Sequence, residues 1–181
     1  MSLLLDTAKG SLRATVVVPG SKSIANRALV CAALASGTST LQNLASGDDT
    51  AAMIDCLRAL HIDVIVEGTT ATIVGSSGRP NGGGELDARL AGTTSRFMTA
   101  VAALSTVPSL ITGDVPLRQR PMKPLHDALV QLGAQVKSVD KEGHLPVWVS
   151  GDSIDGGTVS LPGDVSSQYV TALMMIGPYL P

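Results

Sequence analysis

Four cations stand where helices would begin. Lys22 and Arg27 lie in VVVPGSKSIANRALV at residues 16–30, Arg96 in LAGTTSRF and Arg120 in PLRQRP. A helix N-terminus carries partial positive charge, so a cation in its first turns works against the macrodipole unless something negative is held there. Glycine and hydroxyls accompany these cations: Gly20-Ser21 and Ser23, Gly92-Thr93-Thr94-Ser95, and Gly163 followed by Ser166-Ser167-Gln168. Ser23 and Arg27 are four residues apart and share a helical face. Open N–H groups, hydroxyls and cations together form the donor set for oxyanions, enough for a phosphate and a carboxylate. N-capping accounts for the hydroxyls but not for the cations.

Other chemistries fit less well. The GSKS segment lacks the G-x-x-x-x-G-K-S/T spacing of a nucleotide P-loop. His61, His126 and His144 are scattered, with no Ser-His-Asp order and no metal-ligand pair. Asp55 and Asp127 read as a solvated or structural helix face, and Arg118 and Lys123 as solvated surface. A net charge of −2 with one Phe, one Trp and two Tyr argues against nucleic-acid binding. Cys31 and Cys56 fall in apolar helical patterns and read as buried thiols in a reducing compartment. No stretch is apolar for long enough to span a membrane and MSLLLDTAKG does not read as a signal peptide, so a cytoplasmic location is expected.

The elements that must position these residues repeat. TVVVPGSKSIANRALVCAALAS aligns with LDARLAGTTSRFMTAVAALST and TVSLPGDVSSQYVTALMMIGP, placing Gly20, Gly92 and Gly163 at matching points, 72 and then 71 residues apart. Asp55 and Asp127, Leu57 and Leu129, Leu60 and Leu132, and Val64 and Val136 keep the 72-residue register. Each complete unit reads β-α-β-α-β-β. In the first, a strand ends at Val18, a helix begins near Ser21 to Ser23, and a strand covers Thr40 to Leu44. Asp48, Asp49 and Thr50 then form an N-cap cluster for a second helix, followed by strands near 62–66 and 71–74. Units are expected at about 16–75, 85–151 and 157–181, the third ending soon after its first helix. In the 72-residue register Arg120 stands level with Asp48, so an arginine replaces the acid that suits a helix start.

PGSKSIANRAL, LAGTTSRF, DVPLRQRPMKPLHDAL and VSSQYVTALMM resemble successive motifs of the 5-enolpyruvylshikimate-3-phosphate synthases, the 3-phosphoshikimate 1-carboxyvinyltransferases, over nearly the whole chain. The related transferase acting on UDP-N-acetylglucosamine has a lysine-asparagine signature in place of Lys22-Ser23 and a cysteine-bearing loop in place of PLRQRP. The resemblance implies an α/β (α+β) fold of two similar domains, each of three β-α-β-α-β-β units with helices inside and sheets outside. Residues 1–15 would then be a strand segment partly belonging to the second domain, 16–181 an incomplete shikimate-binding domain, and the second domain would be largely absent.

It also implies transfer of the enolpyruvyl group of phosphoenolpyruvate to the 5-hydroxyl of shikimate 3-phosphate, by addition to a tetrahedral intermediate and elimination of phosphate. No metal or organic cofactor is implied. Carried over residue by residue, Lys22, Ser23, Arg27, Ser166 and Ser167 match contacts to shikimate 3-phosphate, with Gln168 between the two ligands. Lys22, Gly92 and Arg120 match contacts to phosphoenolpyruvate, where glyphosate competes; Lys22 is the catalytic candidate and Arg96 a further binding candidate. Leu90-Ala91-Gly92-Thr93 stands one residue shorter than the family's LNAGT-like stretch. The family's general base and acid would lie beyond Pro181, so this chain alone is expected to be inactive and the full-length enzyme a monomer. Two alternatives remain: a non-catalytic anion-binding module, and a related enolpyruvyl transferase with another phosphorylated acceptor.

Overall fold

In a computed structural model, described for residue 7 and residues 9–152, 154–162 and 165–181, helices pack at the centre and two sheets lie outside them. Gly163 lies outside the described residues, as do residues 1–6 and 8 of the expected 1–15 strand segment, and residues 9–15 form no strand. The first unit runs α1 (Lys22–Leu34), β1 (Thr38–Leu41), α2 (Asp48–Ala59), β2 (Asp63–Glu67) and β3 (Thr70–Val74). The second runs β4 (Gly84–Asp87), α3 (Gly92–Ala102), β5 (Ser109–Thr112), a single turn α4 (Val115–Arg118), α5 (Lys123–Gln131), β6 (Gln135–Ser138) and β7 (Val147–Ser150). Then come α6 (Ser167–Ile176) and a 3-10 turn over Gly177–Tyr179.

The first sheet has the antiparallel order β1-β3-β2; the second is β4-β5-β7-β6, with β4 and β5 parallel and the other pairs antiparallel. The core is aliphatic and small: Ala25, Leu29, Ala33, Leu34, Met53, Leu57, Met98, Val101 and Ala172 are all buried. Alanine-rich faces let helix axes approach closely, which suits an interior of helices with few rings. Gly20 permits a second close approach, since a Cβ there would meet the Asn43 carbonyl oxygen at 2.2 Å. No helix among the described residues is long and apolar enough to cross a membrane.

Several expectations are corrected. The run ending at Val18 forms no strand: Val16, Val17 and Val18 are exposed and lack a ladder partner, whereas β4 of the second unit gains one in β5. An apolar run becomes a strand only when a neighbour pairs its backbone groups. The strand expected over Thr40 to Leu44 lies at Thr38–Leu41. Gly47, at φ 148°, is the N-cap of α2, so Asp48 and Asp49 occupy its first turn and favour the dipole directly instead of capping. Cys31 is exposed on α1 rather than buried. Cys56 is buried, hydrogen-bonds through its thiol to the Asp87 carbonyl oxygen, and burial pushes that thiol up to about 12.

Candidate functional site

The site grows from three helix starts. In α1, Ser21 is the N-cap but its hydroxyl makes no cap bond; in α3 the N-cap is Ala91, which has no hydroxyl. Only α6 is capped by a side chain, with Ser166 accepting from the Gln168 amide at 3.3 Å. The hydroxyls of Ser21, Ser23 and Ser167 are therefore free of capping duty. None of α1, α3 and α6 carries an acid in its first turn. The positive ends of three mutually packed helices thus receive no counter-charge from their own first turns.

Hydrogen bonds tie these starts together. Lys22 Nζ lies 2.9 Å from Asp49 Oδ2, and Thr94 Oγ1 donates to the Asp49 carbonyl at 3.2 Å, so α1, α2 and α3 meet at one residue. Arg27 donates to the Ser23 carbonyl at 2.8 Å, and its guanidinium carbon stands 5.3 Å from the centroid of the buried Phe97 ring. Arg96 Nη1 donates to the Gly92 carbonyl at 2.8 Å and to Gln168 Oε1 at 3.0 Å, while Gln168 Nε2 donates to Thr93 Oγ1 at 3.1 Å. The Gln168 amide is thereby oriented by α3, its oxygen toward the cation and its nitrogen toward the hydroxyl. The Arg96 guanidinium carbon lies 5.5 Å from the centroid of the Tyr169 ring, an orientation that favours the cation.

Arg120 is not at a helix N-terminus. The α4 turn delays α5 until Lys123, so Arg120 falls in the intervening loop, its amide donating to the Leu117 carbonyl at 3.0 Å. Its head nevertheless reaches α3: a Cβ built on Gly92 would lie 2.6 Å from Arg96 Nη1 and 3.0 Å from Arg120 Nη1. Two guanidinium groups therefore crowd the glycine that opens α3, and glycine is what leaves them room. Arg96, Arg120, Ser166, Ser167 and Gln168 line one open cavity of about 510 Å³ together with Pro121, Val165 and Tyr169. Lys22, Ser23 and Arg27 do not line it: Lys22 pairs with Asp49, and Arg27 stands over the ring of Phe97, the residue after Arg96.

Charge decides what the site can hold. Among the described residues no carboxylate pairs with Arg27, Arg96 or Arg120, and Arg96 Nε is buried without a hydrogen-bond partner. A buried unpaired guanidinium nitrogen costs free energy until an acceptor meets it. A larger cavity, about 580 Å³, is lined by Asp48, Asp49, Asp87 and Asp114 with Arg89 and would repel a phosphate. Of the two, the arginine cavity has the lining that suits an anion, although it is the smaller. No group of three or more His, Cys, Asp or Glu among the described residues could hold a metal ion.

Asp55 pairs with Arg89 and Arg58, and Asp127 with Lys123, as expected of helix faces. Hydrogen bonding to Glu142 and Asp127 holds the exposed Lys123 ammonium above its usual value. Arg118 is exposed, as expected, and its Nε donates to the Gly113 carbonyl. Sequence reasoning missed the tether of Asp49 to Lys22 and the supports beneath the cations, Phe97 and Tyr169; the aromatic residue directly following Arg96 and Gln168 was the available signal.

The sequence model of the family described as EPSP synthase (3-phosphoshikimate 1-carboxyvinyltransferase) matches residues 7–180. The chain is 37% identical over 175 residues to the 3-phosphoshikimate 1-carboxyvinyltransferase of Colwellia psychrerythraea, covering 94% of this chain and 41% of that protein. Against the protein of the same name from Hamiltonella defensa it is 40% identical over 173 residues, with 93% and 40% covered. The chain thus spans about two fifths of the length of these curated relatives. The EPSP synthase structure from Acinetobacter baumannii superposes with a TM-score of 0.82 at 25% identity, over 91% of this chain and 38% of that one. The enolpyruvyl transferase NikO from Streptomyces tendae, at 15% identity and a TM-score of 0.56, shares the fold.

Proposed function

The chain belongs to the EPSP synthase family, and we propose that it supplies one wall of a cleft in which phosphoenolpyruvate meets shikimate 3-phosphate. The supporting observation is the set of arginines without a carboxylate partner gathered around the starts of α1, α3 and α6. In this reading Lys22, Ser23, Arg27, Ser166 and Ser167 hold the sugar phosphate. Gly92 and Arg120 take the phosphoenolpyruvate side with Lys22, and Arg96 and Gln168 stand between. Glyphosate would compete on that second side.

Chemically, such a wall does three things. Cations and oriented donors neutralise the phosphates and the carboxylate, which otherwise repel each other on approach. Fixed helix starts hold the acceptor hydroxyl and the enolpyruvyl carbon near one another. Preorganised charge around Gly92 stabilises the phosphate as it leaves the tetrahedral intermediate. In this reading the proton-transfer groups stand on the opposite wall of the cleft, and this wall by itself binds weakly and turns nothing over. A monomeric whole enzyme in the cytoplasm belongs to the same reading.

An amide NMR titration of this chain with shikimate 3-phosphate tests the assignment. Shifts should concentrate at Lys22, Ser23, Arg27 and Ser166 to Gln168. Binding elsewhere, or sustained phosphate release from both substrates by this chain alone, would contradict it.

A further inference from the structure

Tyr169 is, with Phe97, one of two aromatic residues in a largely aliphatic core, with 1% of its surface exposed. A phenol taken from water needs a hydrogen-bond partner. Its hydroxyl finds one 48 residues away, donating to the Pro121 carbonyl oxygen over 2.6 Å. Pro121 follows Arg120, and a proline restricts the residue before it to extended backbone conformations. The Arg120 amide is held from the other side by the Leu117 carbonyl at 3.0 Å. The backbone carrying Arg120 is thus pinned before and after the arginine, and the later pin is a side chain of α6. The same tyrosine ring supports the Arg96 guanidinium, the other cation beside Gly92.

We infer that Tyr169 is a positioning residue: through the Pro121 carbonyl its hydroxyl fixes Arg120 at the anion site and couples the phosphoenolpyruvate side to the helix that carries Ser166, Ser167 and Gln168. The inference rests on the reading of the site given above. Tyr169 need touch neither ligand. Removing its oxygen while keeping the ring should loosen Arg120 without unpacking the core.

The test compares the wild-type chain with Tyr169→Phe. In the ligand-free proteins, 15N relaxation should show lower order at the amides of Gln119, Arg120 and Met122 in the variant, with α3 unchanged. In titrations, the dissociation constant for phosphoenolpyruvate should rise roughly five- to tenfold, the change expected from one ordinary hydrogen bond. That for shikimate 3-phosphate should change less than about twofold, and the variant should add nothing in an Arg120→Ala background. Unchanged loop order overturns the inference whatever binds. Equal weakening of both ligands, or the same loss without Arg120, also overturns it. A wild-type chain that binds no phosphoenolpyruvate would instead count against the reading of the site, and the loop order would still decide the role of Tyr169.

Discussion

The Lys22 ammonium is held 2.9 Å from the Asp49 carboxylate, so the first turn of α1 is tethered to the first turn of α2 by a cation of the proposed anion site. The lysine side chain is 61% exposed, so this pair contributes at most about 1 kcal/mol to folding. A charge-assisted bond to a phosphate is worth more, about 1.5–3 kcal/mol. Lys22→Met should therefore leave the urea midpoint nearly unchanged while weakening shikimate 3-phosphate binding roughly 10- to 150-fold. Calorimetric titration beside urea melts separates the two, and a large stability loss with unchanged affinity would invert the argument.

Gly92→Ala places a methyl carbon 2.6 Å from Arg96 Nη1 and 3.0 Å from Arg120 Nη1. Both obstacles are ends of flexible side chains, so the fold survives and the guanidinium groups move. The expected outcome is an amide spectrum conserved outside the α3 start, with phosphoenolpyruvate binding weakened several-fold more than shikimate 3-phosphate binding. Unchanged affinity for both would mean that the arginine heads do not contact the ligand.

Arg120→Ala removes one of those heads. Arg120 stands in a loop exposed to solvent, its side chain without a carboxylate partner among the described residues, so its loss should shift the melting temperature by less than a few degrees. Phosphoenolpyruvate affinity should fall by tenfold or more, while shikimate 3-phosphate is largely retained on Lys22, Ser23, Arg27 and α6. Competition titrations with both ligands measure the split, and equal loss of both would refute the division of roles.

How far these elements could be read beforehand follows from the range of the forces involved. Helices α1, α2 and α3 and strands β2 and β3 lie close to their expected positions, because apolar periodicity reports burial of one face. The 72-residue register places β6 against β2 within the same logic, since backbone repeats when side-chain patterns repeat. Val16 to Val18 mislead because pairing depends on a neighbour that the local pattern does not specify. Arg120 departs from its register because the α4 turn and Pro124 at the second position of α5 delay the helix. The cations were legible because they contradict a local rule. Their supports were not, since Asp49, Phe97 and Tyr169 reach their partners only across the fold.

His126 makes stability depend on pH. It is buried on α5 with Nε2 unpartnered, and burial holds its imidazole down at about 4 despite the raising influence of Asp127; His144 and Lys123 lower it further. The neutral form is favoured in the folded chain, whereas the unfolded chain takes up a proton near pH 6.5. The contribution is therefore complete above about pH 6.5 and is lost progressively as the pH falls toward 4. A shift of this size corresponds to on the order of 3 kcal/mol. Urea unfolding of the wild type should show that loss between neutral pH and pH 4. His126→Leu, which keeps an apolar side chain of similar size and cannot charge, should lose less over the same interval. Parallel stability curves for the two proteins would mean that other groups carry the acid sensitivity.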